Sequence, residues 1–334
     1  MSPVPNTLMK ILFITPGPLG DTVLSLGLLS HFVKVYPDAE VTIATGPLGM
    51  TLFDGLANVQ ERISLKKQKR HGHWINLWKK VVKTRWDIVV DMRNSAVSRL
   101  VSSRQTFIKR QGGVDPEAHV VVQNAQLAGL GDNPPSPMIW LSEDQKKTAA
   151  ELLPGDQKYI GVGPTTNFIG KMWPPEYFVG LLHHVIAEGS PYEGHSIAVF
   201  GAPNEQEQAR QVIDHLPKHK VINLVGRTQP GTGAACLGRC DFYIGNDSGL
   251  MHCAAALGVK TFGLFGPSRD ENYRPWGEHC SYIRTPESRD ELIGHEDFKA
   301  SEVEDSMMRN LTVDMVEKKL LNFLGERNYS FRSE

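Results

Sequence analysis

A chain of 334 residues with a formal net charge of −1 has room for two domains with separate cores, and no global field to draw it to nucleic acid. Hydrophobic residues make up 40% and charged residues 22%, which excludes a disordered or membrane-embedded chain and fits a soluble globular one. Four cysteines are present; Cys236 and Cys240 lie one helical turn apart, but no second Cys or His pair completes a zinc site, so free thiols in a reducing cytoplasm are expected.

The first apolar run, Ile11-Leu-Phe-Ile14, is too short for a signal peptide or a membrane span, and no later run approaches the length a span needs. A protein that stays inside the cell, soluble or peripheral, is the expectation. Lys10 to Thr15 reads as a buried parallel strand, Thr22 to Tyr36 as a helix that stops at Pro37, and Val41 to Thr45 and Trp86 to Asp91 as further strands. Thr106 to Lys109 reads as a short one. The breaker cluster from Gly129 to Pro137 has the composition of an interdomain connection, so domains of 1–150 and 151–334 are expected. The second half then repeats the style. Tyr159 to Gly163, Ser196 to Gly201, Val221 to Val225, Asp241 to Asn246 and Lys260 to Gly266 read as strands, with helices over Pro174 to Ala187 and Pro203 to Leu216. Two doubly wound α/β domains with parallel sheets follow, with a ligand site beyond the strand ends in a cleft between them.

Four turns at expected strand ends carry the chemistry. The first is Pro16-Gly-Pro-Leu-Gly-Asp21-Thr22. Its glycines Gly17 and Gly20 do not complete G-x-G-x-x-G, and the loop lacks a P-loop lysine, so a kinase or dehydrogenase is poorly supported. Asp21, beside Gly20, either caps the following helix or faces the cleft and serves as a general base. The second turn runs from Gly163 to Pro174; Thr165, Thr166 and Lys171 suit a diphosphate. The third, Gly201-Ala-Pro-Asn-Glu205, offers a carboxylate for ribose hydroxyls, although glutamate in a first helical turn also simply suits the dipole. The fourth, Asn246-Asp-Ser-Gly-Leu-Met-His252, opens a short helix. Asp247, Ser248 and Gly249 there point free N–H groups and the positive dipole end at one spot, with His252 adding a donor or remaining a core histidine.

In this order the four turns resemble glycosyltransferase family 9, the bacterial heptosyltransferases of the lipopolysaccharide inner core, over roughly residues 10–325. The resemblance implies a GT-B fold, two Rossmann-like domains facing across a cleft, with acceptor bound by the first and sugar nucleotide by the second. It implies inversion without a metal and with no cofactor. Asp21 would be the base and Lys171 would neutralise the leaving diphosphate. Thr165, Thr166, Asp247, Ser248, Gly249 and His252 would form the donor pocket. Glu205 would hold the ribose, and Arg227 and Thr228 would lie near adenine. The last helix, about 311–325, would pack back on the first domain. Three departures stand out: Phe168 and Ile169 between Thr166 and Lys171, Ser248 where threonine also occurs, and the proline-rich start of the first loop.

One segment departs from the neutral charge balance. Between Lys66 and Trp86 lie eight Lys or Arg residues and three tryptophans without an Asp or Glu. It reads either as a solvated basic face or as a surface for an anionic lipid-linked acceptor and a membrane, through Trp74, Trp78, Lys79, Lys80 and Lys83, with Arg93 and Arg99 as further candidates. No nucleic-acid motif accompanies it. The expected partners are therefore ADP-heptose, a lipid A–Kdo acceptor and the cytoplasmic face of the inner membrane. The rivals are another sugar nucleotide or glycan, a sugar-nucleotide epimerase, and a non-catalytic nucleotide-binding module.

Overall fold

The computed structural model describes residues 8–110, 113–294 and 298–325, and it divides into two compact units, Met1–Glu143 and Asp144–Glu334.

The first unit holds five parallel strands, β1 (Lys10–Ile14), β2 (Glu40–Thr45), β3 (Val59–Ser64), β4 (Trp86–Asp91) and β5 (Ser103–Ile108), in the order β3-β2-β1-β4-β5. Ile11 to Ile14 are wholly buried, because a central strand of a doubly wound sheet is covered on both faces. The edge strand β3 buries only Ile63 and carries charged residues outward, as an unpaired edge requires. Strand order reverses between β1 and β4, so the crevice at their carboxyl ends is this unit's natural binding position. The helix after β1 spans Leu19–Val35, starting earlier than its apolar spacing indicates. Pro18 is its extended N-cap and accepts the Thr22 N–H at 2.9 Å. Asp21 therefore sits inside the first turn, where its charge meets the dipole, and does not cap the helix.

The proline-rich stretch expected to connect domains has a packing role within this unit. The Pro135 carbonyl lies against Gly27 so closely that any Cβ there would clash. The stretch is thus a strap laid over the helix, and glycine is what admits it.

The second unit has six parallel strands, β6 (Tyr159–Gly163), β7 (Ser196–Val199), β8 (Val221–Asn223), β9 (Phe242–Asn246), β10 (Lys260–Phe265) and β11 (Cys280–Arg284), in the order β11-β10-β9-β6-β7-β8. Its core gathers Ile160, Val162, Trp173, Phe178, Phe242 and Phe262. The last helix, Val313–Leu324, turns Val316, Leu320 and Leu324 into this core, so its apolar face is taken up within the second unit. Thr312 caps its start and Gly325, at φ 94°, ends it in the left-handed region. Here the order reverses between β6 and β9, where Gly163, the last residue of β6, is the register partner of Gly245.

All four cysteines are free, and burial pushes their thiols up, Cys236 to about 11. Among the described residues no helix is long and apolar enough to cross a membrane.

Candidate functional site

In the second unit the candidate residues line adjacent strand ends about the β6–β9 reversal. The segment leaving β6 is held by one side chain. Asn246, wholly buried at the end of β9, accepts the Trp173 N–H at 2.9 Å and donates to the Pro164 carbonyl at 2.9 Å. Both ends of the 164–173 loop are therefore tied to β9. Trp173 is itself fully buried, and its indole N–H donates to the Leu311 carbonyl at 2.7 Å. The loop between these anchors presents Lys171, whose Nζ lies 2.9 Å from Asp247 Oδ2. The lysine side chain is 30% exposed and the aspartate 9%, so the ammonium faces outward from a nearly buried carboxylate.

Next to this pair begins the helix Gly249–Ala256. Its N-cap, Ser248, is extended (φ −151°, ψ 169°) and does not spend its hydroxyl on the helix; the Oγ is buried and has no partner. The first N–H groups of such a helix lack intrahelical acceptors, so they and the dipole favour an anion. His252, one turn further on, is buried, with Nδ1 unpartnered. Burial, with a smaller push from Lys171, lowers it to about 4 against the opposing pull of Asp247, so it is neutral at physiological pH. A neutral imidazole there donates or accepts a hydrogen bond without adding charge.

On the other flank, the β7 end presents Glu205. Its Oε2 accepts the Thr165 hydroxyl at 2.7 Å and the Ala202 N–H at 2.8 Å, which fixes the carboxylate beside the β6 loop. Thr166 is buried in the same loop. Arg227, exposed, and Thr228 follow β8 one strand further out; the turn is bound to the Glu205 loop through Gly226 N–H to Gly201 O at 3.0 Å, with Gly226 at φ 66°. The fold thus joins Lys171 to Asp247 and Thr165 to Glu205 directly. It sets Ser248, Gly249 and His252 beside the first pair, and Arg227 and Thr228 beyond the second.

In the first unit Gly20 and Asp21 stand at the β1 end, both partly exposed. Lys109, just past β5, is depressed by burial while the Asp21 charge holds it up, so the two are electrostatic neighbours. Lys109 Nζ donates to Asn124 Oδ1 at 3.0 Å, and Asn124 donates to the Leu24 carbonyl at 3.0 Å, one turn below Asp21. Arg93, past β4, lies over the Trp74 ring at 4.9 Å. Arg99 is spent on its own loop, donating to the Ser95 carbonyl and Asn94 Oδ1.

The basic segment forms the helix Gly72–Val81, which buries His73, Leu77 and Val81 and leaves Ile75 and Trp78 outward at 51% and 37% exposure. Lys79 and Lys83 are exposed beside them. Lys80 instead reaches Glu61 on β3, an acidic partner that the segment's own sequence does not contain.

Two residues of this architecture were not legible as functional. Asn246 reads as the polar end of a strand, and only its two partners in space give it a role; Tyr243 reads as an ordinary strand aromatic, yet its ring packs over Gly161, Gly163 and Gly245.

The family model for glycosyltransferase family 9 (heptosyltransferase) matches residues 74–297, a span that includes the second-unit candidates from Thr165 to His252 and leaves Asp21 outside it. Lipopolysaccharide heptosyltransferase 2 of Escherichia coli K12 is 25% identical over 317 residues, covering 83% of this chain and 88% of its own. Among solved structures, a glycosyl transferase family 9 protein of Veillonella parvula superposes with a TM-score of 0.77 at 22% identity, over 95% of this chain and 97% of its own. The E. coli ADP-heptose lps heptosyltransferase II gives 0.74 at 20%, over 96% of this chain and 100% of its own. The architecture is the GT-B fold.

Proposed function

The chain belongs to glycosyltransferase family 9, and from that premise we propose that it moves a heptose from ADP-heptose to a lipid A–Kdo inner-core acceptor, with inversion and without a metal. The observation that carries this reading is the Lys171–Asp247 pair beside the open start of helix Gly249–Ala256. The E. coli relatives are named as lipopolysaccharide heptosyltransferases, one of them with ADP-heptose.

In this reading the acceptor hydroxyl attacks the anomeric carbon as its proton passes to Asp21. The new carbon–oxygen bond forms on one face while the bond to the β-phosphate oxygen breaks on the other. Charge then develops on the leaving diphosphate, where Lys171, the Gly249 end of the helix and the Ser248 hydroxyl supply positive charge and donors already in place. Those protein groups do at the diphosphate what a divalent cation does elsewhere. Glu205, fixed by Thr165 and Ala202, is oriented to accept from the ribose hydroxyls, with Arg227 and Thr228 towards the base. Asp247 keeps Lys171 extended into the site until the donor arrives.

The acceptor side draws on Gly20, Asp21 and Arg93. The exposed pair Ile75 and Trp78, with Lys79 and Lys83, suits an anionic lipid surface at the cytoplasmic face of the inner membrane. The test is a transfer assay with purified protein, ADP-heptose and heptose-free lipid A–Kdo core, followed by mass spectrometry. A heptose-mass product that forms equally in chelator supports the reading. Transfer from a different sugar nucleotide only, or a strict need for added metal, overturns the corresponding part.

A further inference from the structure

The phosphate-binding turn has a second layer, built on Tyr243. We propose that the Tyr243 phenol orients Ser248, donating to its Oγ so that the serine's own proton is directed at the donor's diphosphate; this rests on the donor-site reading above.

Tyr243 lies in β9 and is wholly buried. It shares a sheet face with Gly245, two residues on, and its ring lies over Gly161, Gly163 and Gly245. A Cβ on either Gly163 or Gly245 would run into the phenol oxygen. Gly163 and Gly245 are also register partners across the β6–β9 reversal, so the floor cleared for this ring lies where the two halves of the sheet part. Packing alone does not explain the hydroxyl. Phenylalanine would fill the same space, whereas a buried hydroxyl left without a partner is a net cost.

The phenol oxygen is buried with no partner among the protein's groups, and so is Ser248 Oγ. Ser248, just past the end of β9, is the hydroxyl nearest in chemistry and position to answer the phenol, since it acts on the phenol's ionisation. The other polar groups that act on the phenol are Glu205 and the Cys253 and Cys240 thiols. Glu205 turns its Oε2 to Thr165 and Ala202, and burial keeps both thiols protonated. A serine hydroxyl has one proton and two lone pairs, and a phenol has one proton to give. An anion at the start of helix Gly249–Ala256 accepts a hydrogen bond from the serine hydroxyl. The serine lone pair then accepts a hydrogen bond from the phenol, which keeps its proton, and both orphaned groups are satisfied at once. Hydrogen bonds in such a chain strengthen one another in a dry site. Tyr243 does not touch the ligand, so it is a positioning residue.

The experiment measures melting temperature and calorimetric affinity for ADP, UDP and inorganic pyrophosphate in the wild type, Tyr243→Phe, Ser248→Ala and the double variant. Tyr243→Phe keeps the ring, and without ligand it should melt at or above the wild-type temperature, because an unpartnered hydroxyl is gone. Its affinity for the diphosphate should nevertheless fall roughly tenfold, with KM for acceptor unchanged. Ser248→Ala should lose at least as much, and adding Tyr243→Phe to it should lose nothing more. Wild-type affinity in Tyr243→Phe, or losses that multiply in the double variant, overturns the proposal while leaving the donor site standing. If none of the three compounds stabilises the wild type, the donor-site reading and this inference fall together.

Discussion

Lys171 Nζ and Asp247 Oδ2 stand 2.9 Å apart although 76 positions separate them, and they are brought together by Asn246 tying the lysine's loop to β9. The pair is asymmetric. The lysine is partly exposed and can turn to a ligand, whereas the aspartate is nearly buried and stays. A diphosphate entering the site would meet an ammonium already extended, with part of its ordering entropy already spent.

Replacing Lys171 with methionine keeps most of the side-chain volume and removes the charge. The turnover number should fall by about 10² to 10³, as for loss of one preorganised charge stabiliser. Steady-state kinetics at saturating donor check this, and a turnover within twofold of wild type would remove Lys171 from the reaction.

Asp21→Asn should abolish proton removal while leaving the second unit untouched. Transfer should drop by about 10² to 10⁴, and the calorimetric affinity for ADP should stay at the wild-type value. Retained turnover would assign the base elsewhere, and lost ADP binding would show that Asp21 acts on the donor site instead.

Asn246→Ala removes both ties of the 164–173 loop and leaves the Trp173 N–H and the Pro164 carbonyl without their partner. A stability loss of about 2 to 4 kcal/mol is expected from two buried hydrogen bonds, read from urea unfolding. Affinity for the donor should weaken as Lys171 loses its position, a result that distinguishes a site scaffold from simple packing. Intact affinity in the folded variant would contradict the scaffold role.

His252 makes stability depend on pH. Its folded value of about 4 lies below its ordinary 6.5, so between those limits the unfolded chain takes a proton that the native histidine refuses. The unfolded state binds more protons there, and stability falls as the pH drops from 6.5 to 4, by about 3 kcal/mol in all. Below 4 the native histidine also charges and the dependence from this group ends. Urea melts of wild type and His252→Gln across that window should show a flatter profile in the variant. Parallel profiles would mean that His252 is not the group responsible.

Lys79→Glu combined with Lys83→Glu should weaken association with anionic vesicles most at low salt, where surface charge is least screened. Sedimentation with phosphatidylglycerol vesicles measures it. Undiminished binding by this variant, and by Trp78→Ala, would identify the face as merely solvated. Lys80 is left out because Glu61 already partners it.

How much of this was readable beforehand depended on burial. Strands β1, β6 and β10 are covered on both faces and appear as continuous apolar runs, so their positions follow from composition alone. Strands β3 and β11 are edges whose sequences hold no apolar run, unlike the edge β8, where Val221, Ile222, Leu224 and Val225 cluster. β3 buries one residue of six and β11 likewise only Ile283, which leaves no apolar run or clean alternation to read. The start of the helix Leu19–Val35 is masked in the sequence because Gly20 and Asp21 look like loop, while Pro18 sets the backbone for a helix that begins directly after it. The Gly129 to Pro137 stretch has the composition of a linker, and only the close approach to Gly27 reveals it as a strap.

By itself, the sequence determined what local chemistry determines: the alternation of strand and helix, the order of four polar turns at strand ends, and the helix start at Gly249 that favours an anion. These depend on periodicity, capping and dipoles, which act within a few residues. The tertiary structure decided which of those groups meet. Lys171 meets Asp247 because β6 pairs with β9, Thr165 meets Glu205 because β6 pairs with β7, and the Tyr243 ring finds its glycine floor partly on β6. Strand order is settled by the packing of the whole sheet against its helices. For that reason, no window of sequence contains it.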